Sequence, residues 1–178
     1  YGLTVSAISG RNALTSAEIE AYMAQLPAGL SDERLRIIRF ALNSVGKVPY
    51  YWGGKASAPN YAGNSFGVLT TADYKGRVLK GLDCSGWIGW VYWSVTGKRL
   101  PYESTSGLAA TGTSISRDQL KPGDIIIRTG TDAHVIMFLG WTSDGRIQCI
   151  HESSASVNNV TVAVRDANWP YYRRLIND

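Results

Sequence analysis

The chain has 178 residues, 44% of them hydrophobic, which suffices for one compact domain with a substantial core. The formal net charge is +4, and because the 18 basic residues are scattered rather than clustered, we expect no nucleic-acid-binding surface. Two cysteines are too few for a disulfide scaffold, and no run of about 18 apolar residues is present, so no membrane span is predicted.

Two helices are predicted before residue 50. Thr15, with Glu18 three residues later, forms a capping-box pattern ahead of a helix over about residues 16–25. Ser31 can cap a second, amphipathic helix, and Gly46 stands where a left-handed residue ends such a helix. The apolar residues of this second helix recur at helical spacing: Leu35, Ile38, Ala41, Leu42 and Val45.

Residues 55–80 are rich in Gly, Ala, Ser, Asn and Tyr and show no clear period. This composition predicts a long surface excursion. The Gly53-Gly54 pair ahead of it suits backbone positions with positive φ. Long ordered loops often carry function, so the excursion is a candidate for controlling specificity.

A third helix is predicted from Cys84 to about Val95, ending before Gly97. Its apolar residues fall on the face that carries Cys84, so we expect that face to be buried: Trp87, Ile88, Val91 and Val95. A short helix is expected around residues 104–110.

From residue 121 onward the pattern favours strands. We expect them over residues 125–128, 134–141, 146–151, 160–165 and 171–176. Hairpin-length gaps separate them, so the sheet should be antiparallel. Helices first and strands second indicate an α+β domain, with the third helix packed on a sheet of five to six strands.

The thiol of Cys84 and the chain's only two histidines, His134 and His151, are the candidate catalytic groups. A cysteine at a helix start, a base and a group that orients the base are the components of a nucleophilic site. The helix dipole and a nearby imidazolium both favour a thiolate, so we expect Cys84 to ionise well below its usual pKa of about 8.5.

Both histidines are expected on one hairpin, around residues 142–145. A turn of two or four residues would place His134 and His151 diagonally on the same face, with Cβ atoms about 7–8 Å apart. A three-residue turn would place them on opposite faces. Glu152 is the other candidate for orienting the base, but strand alternation directs it to the opposite face.

Other interpretations of these residues remain open. Cys84 could be a small buried hydrophobe, and Cys149, in an apolar setting, is predicted to be a core residue. A disulfide between the two would inactivate the nucleophile. Cys84 and the two histidines could also bind zinc with help from Asp83 or Asp132, but no metal-binding spacing supports this, so we predict no metal.

Five motifs in order resemble the NlpC family of bacterial cell-wall cysteine peptidases. Asp-Cys-Ser-Gly alone is a weak signal, but the set matches in order and spacing from about residue 36 to the last strand. The motifs are Pro49-Tyr50-Tyr51-Trp52-Gly53-Gly54, Leu82-Asp83-Cys84-Ser85-Gly86-Trp87, Leu120-Lys121-Pro122-Gly123-Asp124, His134-Val135 ahead of Phe138-Leu139-Gly140, and Ile150-His151.

The resemblance implies a papain-like domain over residues 31–178, with residues 1–30 as a linker or an accessory helix. It implies that Cys84 is the nucleophile, His134 the base and His151 the third polar residue. It also implies substrate-binding residues: Asp83 and Ser85 for the free amino end of a stem peptide, and Tyr50 and Trp52 lining the site, with Tyr50 a candidate oxyanion donor.

The implied activity is cleavage of the bond between γ-D-glutamate and a diamino acid in peptidoglycan stem peptides, through an acyl-enzyme and without a cofactor. An N-acetylmuramoyl-L-alanine amidase and a non-catalytic wall-binding module are the alternatives. We expect a secreted or envelope protein that lacks its targeting segment here and forms part of a larger multidomain protein. The excursion over residues 55–80 is longer than the family usually has, which leaves the specificity open.

Overall fold

The computed structural model describes residues 12–178. Within them the chain forms four α-helices, then six strands with one 3-10 turn (Arg117–Gln119) among them. The helices are α1 (Ser16–Ala24), α2 (Asp32–Asn43), α3 (Cys84–Thr96) and α4 (Thr105–Leu108). The strands are β1 (Thr113–Ser114), β2 (Ile125–Arg128), β3 (His134–Trp141), β4 (Ile147–Glu152), β5 (Val160–Arg165) and β6 (Tyr171–Arg174).

The strands form one sheet in the order β1-β6-β2-β3-β4-β5, and every pairing between them is antiparallel. The α+β prediction and the five predicted strands are therefore confirmed, with only small shifts at the strand ends. The two-residue β1 was not predicted, because so short a segment carries no period.

Side-chain caps explain where the helices begin. Thr15 and Glu18 form the predicted capping box at α1, and the Ser31 hydroxyl accepts a hydrogen bond from the Arg34 N–H at the start of α2. Helix α2 ends at Asn43, slightly before Gly46, which has the predicted left-handed φ of 77°.

Helix α3 packs against α2 on one side and against β3 and β4 on the other. Its first nine residues, Cys84 through Tyr92, are all buried. The prediction of one buried face was too narrow, because this helix lies inside the domain and not on its surface. Each fully buried aliphatic residue, such as Ile88 or Val91, stabilises the fold by about 1.5–3 kcal/mol.

The sheet is covered on both faces. One face carries Ile125, Ile127, Val135, Met137 and Ile150, which share a core with α2 and α3. The opposite face carries a smaller cluster that includes Ile126, Ile136, Phe138, Cys149 and Trp169. Cys84 belongs to the first cluster and Cys149 to the second, and both are free thiols. Cys149 is fully buried, as predicted.

Residues 55–80 run over the surface, as predicted, but they contain local structure. The Asn64 side chain bonds four backbone groups of residues 57–60, and residues 67–80 form an irregular hairpin closed by an Asp73 to Arg77 turn. Arg77 then joins this hairpin to the β4–β5 loop through Asn158 and the Ser154 carbonyl.

Residues 1–11 of the predicted N-terminal segment lie outside the described residues. Helix α1, from the remainder of that segment, packs on α2 and buries Ile19. The domain boundary at residues 30 and 31 stays a prediction. In the part of the chain that the structure describes, no helix is both long and apolar enough to cross a membrane.

Candidate active site

Helix α3 begins at Cys84 because Asp83 caps it. The Asp83 carboxylate accepts a hydrogen bond from the Gly86 N–H at 2.7 Å, which leaves Cys84 as the first helical residue. A Cβ atom on Gly86 would lie 2.3 Å from the Gly54 carbonyl oxygen, so only glycine lets the Gly53-Gly54 turn approach the helix start. The Cys84 side chain is therefore enclosed, with 8% of the residue exposed.

The turn between β3 and β4 is of the odd kind that we expected to separate the histidines. The Thr142 N–H donates to the Arg146 carbonyl at 2.8 Å, which closes a three-residue turn over residues 143–145. Gly145 has a φ of 81°, as three-residue hairpins require at their last turn position.

A β-bulge in β3 reverses the effect of this turn. Phe138 pairs with Cys149, whereas Gly140 pairs with Gln148, so Leu139 is an extra residue in β3. The extra residue shifts the pairing by one position and brings the two histidines back to one face of the sheet. The predicted juxtaposition is confirmed, whereas the expectation that a three-residue turn would separate the histidines is wrong, because it did not include a bulge.

His134 and His151 are joined by a hydrogen bond. His134 Nε2 and His151 Nδ1 are 2.8 Å apart, and the ring planes meet at 82°. One of these nitrogens donates and the other accepts, so the contact fixes the ring orientation of His134, and which nitrogen donates depends on the tautomers of the two rings. Because the contact uses Nε2, Nδ1 is the His134 nitrogen that remains for a thiol.

Both imidazoles are neutral at pH 7. Burial lowers the pKa of His134 well below its usual value of 6.5, and electrostatic interactions with His151, Arg165 and Arg128 lower it further. Burial, followed by the charge of Arg165, lowers the pKa of His151 to about 4. A neutral imidazole is the form that can accept a proton.

The Cys84 thiol is neutral as well, which corrects the expectation of a thiolate. Burial, followed by the charge of the adjacent Asp83 carboxylate, raises the pKa of Cys84 to about 11. Backbone hydrogen bonds from Val135 and Ser85 and the Lys55 charge favour the thiolate but are outweighed. Among the described residues, no hydrogen bond joins Cys84 Sγ to His134, although the Val135 amide brings the sulfur to the start of β3.

Tyr50 and Trp52 lie beside this group. Tyr50 forms an isolated bridge with Leu82, and burial raises the pKa of Tyr50, with further contributions from Cys84 and Asp83. Its hydroxyl therefore stays protonated and able to donate. Trp52 is 61% exposed and meets Tyr74 edge-on at a centroid distance of 6.1 Å.

A cleft of about 640 Å³ opens beside the two histidines. Its walls consist of three aromatic residues, two arginines and two short polar loops. The lining residues are Tyr50, Trp52, Tyr74, Arg128, residues 130–134, His151, residues 153–155 and Arg165. Arg128 and Arg165 were not predicted as site residues, because single arginines on strands carry no motif.

Asp83 and Ser85 are brought together, but a cation of the chain already occupies the space between them. Lys55 Nζ lies 2.7 and 2.8 Å from the two carboxylate oxygens of Asp83 and 3.2 Å from Ser85 Oγ. The Ser85 hydroxyl donates to the Glu103 carbonyl at 2.8 Å. Sequence reasoning missed Lys55, since one lysine in an aperiodic loop gives no signal.

Among residues 12–178, no group of three or more His, Cys, Asp and Glu side chains is arranged to hold a metal ion. Cys84 and the two histidines therefore do not form a three-ligand metal site in this structure.

A cysteine that begins a buried helix, packed against an antiparallel sheet that carries a histidine pair, defines the class of papain-like α+β domains. The chain belongs to the NlpC/P60 family, whose model matches residues 46–176.

Curated relatives match part of this domain. The murein DD-endopeptidase MepS/murein LD-carboxypeptidase of Escherichia coli (strain K12) is 32% identical over 105 residues, which cover 58% of this chain and 50% of that protein. The chain thus spans about half the length of the curated relatives it matches.

Solved structures share the fold. The P60 domain of an antigen from Mycobacterium avium subspecies paratuberculosis is 27% identical, with a TM-score of 0.59 over 82% of this chain and 96% of that chain. RipB of Mycobacterium tuberculosis, a peptidoglycan hydrolase, is 24% identical with a TM-score of 0.59, covering 100% of this chain and 74% of its own. RipD of the same organism, a non-catalytic domain adapted to peptidoglycan binding, is 24% identical with the same score, over 83% of this chain and 100% of its own.

Proposed function

We propose that this protein is a peptidoglycan hydrolase, a cysteine endopeptidase that cleaves the bond between γ-D-glutamate and the diamino acid of a stem peptide. The observation that carries the proposal is the 2.8 Å hydrogen bond between His134 and His151. It lies at the start of β3, where the Val135 amide also hydrogen-bonds the Cys84 sulfur. A purely structural set of residues has no need of a thiol, a base and an orienting group in one place.

The proposed reaction starts from the neutral pair. His134 Nδ1 takes the proton of Cys84 as the sulfur attacks the carbonyl carbon of the γ-glutamyl bond. The carbonyl π electrons move to oxygen, and the resulting oxyanion accepts hydrogen bonds from the Cys84 backbone N–H and the Tyr50 hydroxyl. When the C–N bond breaks, His134 returns its proton to the leaving amine, and a thioester remains on Cys84.

The second half of the reaction repeats these steps with water. His134 takes a proton from the water as its oxygen attacks the thioester carbonyl, and the proton passes to the departing sulfur. His151 keeps the ring of His134 in one orientation throughout and shares the positive charge while His134 is protonated. No metal or organic cofactor takes part in the proposal.

Digestion of defined muropeptides tests the function. We expect mass spectrometry to find products that end in γ-D-glutamate and products that begin with the free amine of the diamino acid. Cys84→Ala should lose this activity by about a thousandfold or more and keep its fold. Full activity in Cys84→Ala would refute the mechanism.

The same digestion separates the alternatives. An amidase would release whole stem peptides from sugar strands that carry no peptide. The E. coli relative is a murein DD-endopeptidase and LD-carboxypeptidase, so the digest should also be searched for the products of those two activities. A wall-binding module, as RipD is described, would bind sacculi without product and leave Cys84 unreactive toward iodoacetamide at neutral pH.

We also propose that Asp83 and Ser85 form the subsite next to the N-terminal end of the stem peptide, and that Lys55 controls it. Asp83 is already neutralised by Lys55 at 2.7 Å, so a peptide with a free amine gains little there. The preferred substrate is then a peptide whose amine is acylated, as it is when the peptide is attached to muramic acid.

Lys55→Met should therefore raise the ratio of kcat/KM for a free-amine peptide to that for its N-acetyl form, by about tenfold. Using the ratio within one variant cancels any change in the pKa of Cys84, which Lys55 also affects. The exposed Lys98→Met is the control. An unchanged ratio in Lys55→Met would reject this role.

Because the proposed substrate lies outside the cytoplasm, we propose that the protein acts in the cell envelope or after secretion. We also propose that the domain works as part of a larger multidomain protein, as expected from the sequence.

A further inference from the structure

Two arginines share the face of the sheet that carries the histidine pair. In the β2–β3 register Arg128 lies directly opposite His134. In the β4–β5 register Thr161 lies opposite His151 and Arg165 opposite Ile147, so Arg165 projects from the same face as His151. Both arginines line the cleft beside the histidines.

Trp169 holds both guanidinium groups in place. The guanidinium carbons of Arg128 and Arg165 lie 4.5 and 5.6 Å from the centroid of its ring. Trp169 is 8% exposed, and its indole N–H donates to the Asp166 carbonyl at 2.8 Å. Its ring centroid is 6.4 Å from that of His134. Both guanidinium groups are thus anchored to a fixed side chain that adjoins the base.

Within residues 12–178, neither cation is neutralised by an acidic side chain. Among the residues that the structure describes, no carboxylate lies within ion-pair distance of Arg128 or Arg165. Arg128 Nε donates to the backbone carbonyl of Asp132 at 2.7 Å, and the Asp132 and Asp166 side chains pair with neither arginine. Since both histidines are neutral, two uncompensated positive charges line this part of the cleft, and such an arrangement attracts an anion.

We propose that Arg128 and Arg165 form a carboxylate-binding subsite for the half of the substrate that leaves with the new amino group. The inference rests on the proposed function, because that function supplies a leaving group. His134 delivers its proton to this leaving amine, and the two arginines occupy the cleft beside His134. The Asp83, Ser85 and Lys55 group lies instead at the start of α3. Where the diamino acid ends the stem peptide, the leaving group carries a free α-carboxylate, and the planar N–H groups of arginine match a carboxylate in geometry and charge.

The subsite would also strengthen the base when substrate binds. Arg165 and Arg128 are among the charges that lower the pKa of His134. A bound carboxylate offsets these charges, so the pKa of His134 rises toward the value at which it accepts a proton from Cys84 more readily.

Binding to the Cys84→Ala protein tests the subsite without turnover. The probes are N-acetylated L-alanyl-γ-D-glutamyl tripeptides ending in L-lysine or meso-diaminopimelate, each with a free α-carboxylate or its carboxamide. Calorimetry should show the acid binding about tenfold or more tightly than the amide for at least one pair. Arg128→Gln and Arg165→Gln should each reduce this preference severalfold and leave amide binding nearly unchanged. Arg146→Gln, in the exposed β3–β4 turn, is the control.

Equal affinity for acid and amide, the absence of binding by either, or an equal loss of both in the arginine variants would overturn the inference. Hydrolysis of the same four peptides by the protein with Cys84 intact separates this result from the larger proposal. Hydrolysis without acid preference rejects the subsite and leaves the function standing. Acid-selective binding without hydrolysis rejects the function and supports the subsite.

Discussion

At the scale of single residues, the hydrogen bond between His134 and His151 controls where protons can reside. It occupies Nε2 of His134 and leaves Nδ1 for exchange with a thiol. The neighbouring positive charges and burial keep both rings neutral, while burial keeps the thiol of Cys84 protonated. In the proposed mechanism, Cys84 therefore gives its proton to His134 as the sulfur attacks, in contrast to a site that stores a thiolate.

The pH dependence of kcat/KM should reflect this neutral resting state. A lowered pKa of His134 means that the base is lost only at low pH, so activity should persist as pH falls to about 6.5 and decline only below it. Arg165→Gln removes a charge that lowers the pKa of His134 and should move the acid limb to higher pH. An acid limb at or above pH 6.5 in the parent protein would contradict the neutral pair.

The candidate catalytic residues were predictable from the sequence, whereas the side chains that contact them or their neighbours were not. Cys84, His134 and His151 stood out because the chain has so few thiols and imidazoles and because each falls at a defined point of a helix or strand. Lys55 and Trp169 belong to the site only because of where the fold places their side chains. Both lie in segments without a period, and only the folded chain brings Lys55 to Asp83 or Trp169 to His134.

At the scale of elements, β4 presents two titratable groups on opposite faces. His151 faces the cleft, while Glu152 is fully buried against the helices, as strand alternation predicted. Neither carboxylate oxygen of Glu152 has a hydrogen-bond partner in the described residues. Burial raises the pKa of Glu152 well above its usual 4.5, and the nearby charge of Asp83 adds to this effect.

Glu152→Gln should stabilise the protein at neutral pH. The folded state keeps Glu152 protonated, whereas the unfolded chain releases this proton above pH 4.5, so the contribution of Glu152 to stability is present below pH 4.5 and is lost as pH rises. At pH 7 the substitution should raise the free energy of unfolding by as much as about 3 kcal/mol, falling to near zero at pH 4.

Urea unfolding at the two pH values measures this difference. The exposed Asp118→Asn serves as the control and should change the free energy of unfolding by less than about 0.5 kcal/mol at either pH. A gain for Glu152→Gln that is the same at pH 4 and pH 7 would show that Glu152 does not stay protonated in the fold.

The starts of α1 and α2 and the strand cores followed from caps and periodicity, since Thr15 and Ser31 each act on their own neighbours. The bulge at Leu139 did not follow from the sequence. A bulge depends on how two strands meet, and Leu139 lies at the end of an uninterrupted apolar run that begins at Val135, so the sequence marks no extra residue.

At the scale of the whole molecule, Arg34 joins the helical layer to the sheet. It is fully buried in α2, and its guanidinium bonds Asp124 at 2.9 Å and Asp178 at 2.8 Å. Arg174 in β6 pairs with the same Asp124 carboxylate at 3.0 Å. Burial acts to lower the pKa of Arg34, but the hydrogen bonds to Asp178 and Asp124 outweigh it, so the group stays charged.

Arg34→Met should lower the free energy of unfolding by about 3–5 kcal/mol, because it leaves the buried Asp124 carboxylate without one of its two arginines. Arg36→Met on the exposed side of the same helix should cost less than about 1 kcal/mol. Denaturant unfolding measures both changes. Hydrolytic activity below the transition should be equal in the two variants, and selective loss of activity in Arg34→Met would link this ion pair to the site.

The antiparallel order of β2 to β5 was predictable because short gaps join these strands. The return of β6 to the far side of β2 was not, since that pairing spans more than forty intervening residues and rests on contacts such as Ile126 with Tyr172.

The bulge in β3 also limits how this hairpin can change in length during evolution. An odd turn and one extra strand residue each exchange the two faces of the sheet, and together they cancel. A related chain with an even turn needs no bulge to bring its two histidines together, whereas one with an odd turn needs one. Single-residue insertions or deletions in this hairpin should therefore be inherited in pairs, one in the turn and one in a strand, and an unpaired change should abolish activity while the rest of the domain still folds.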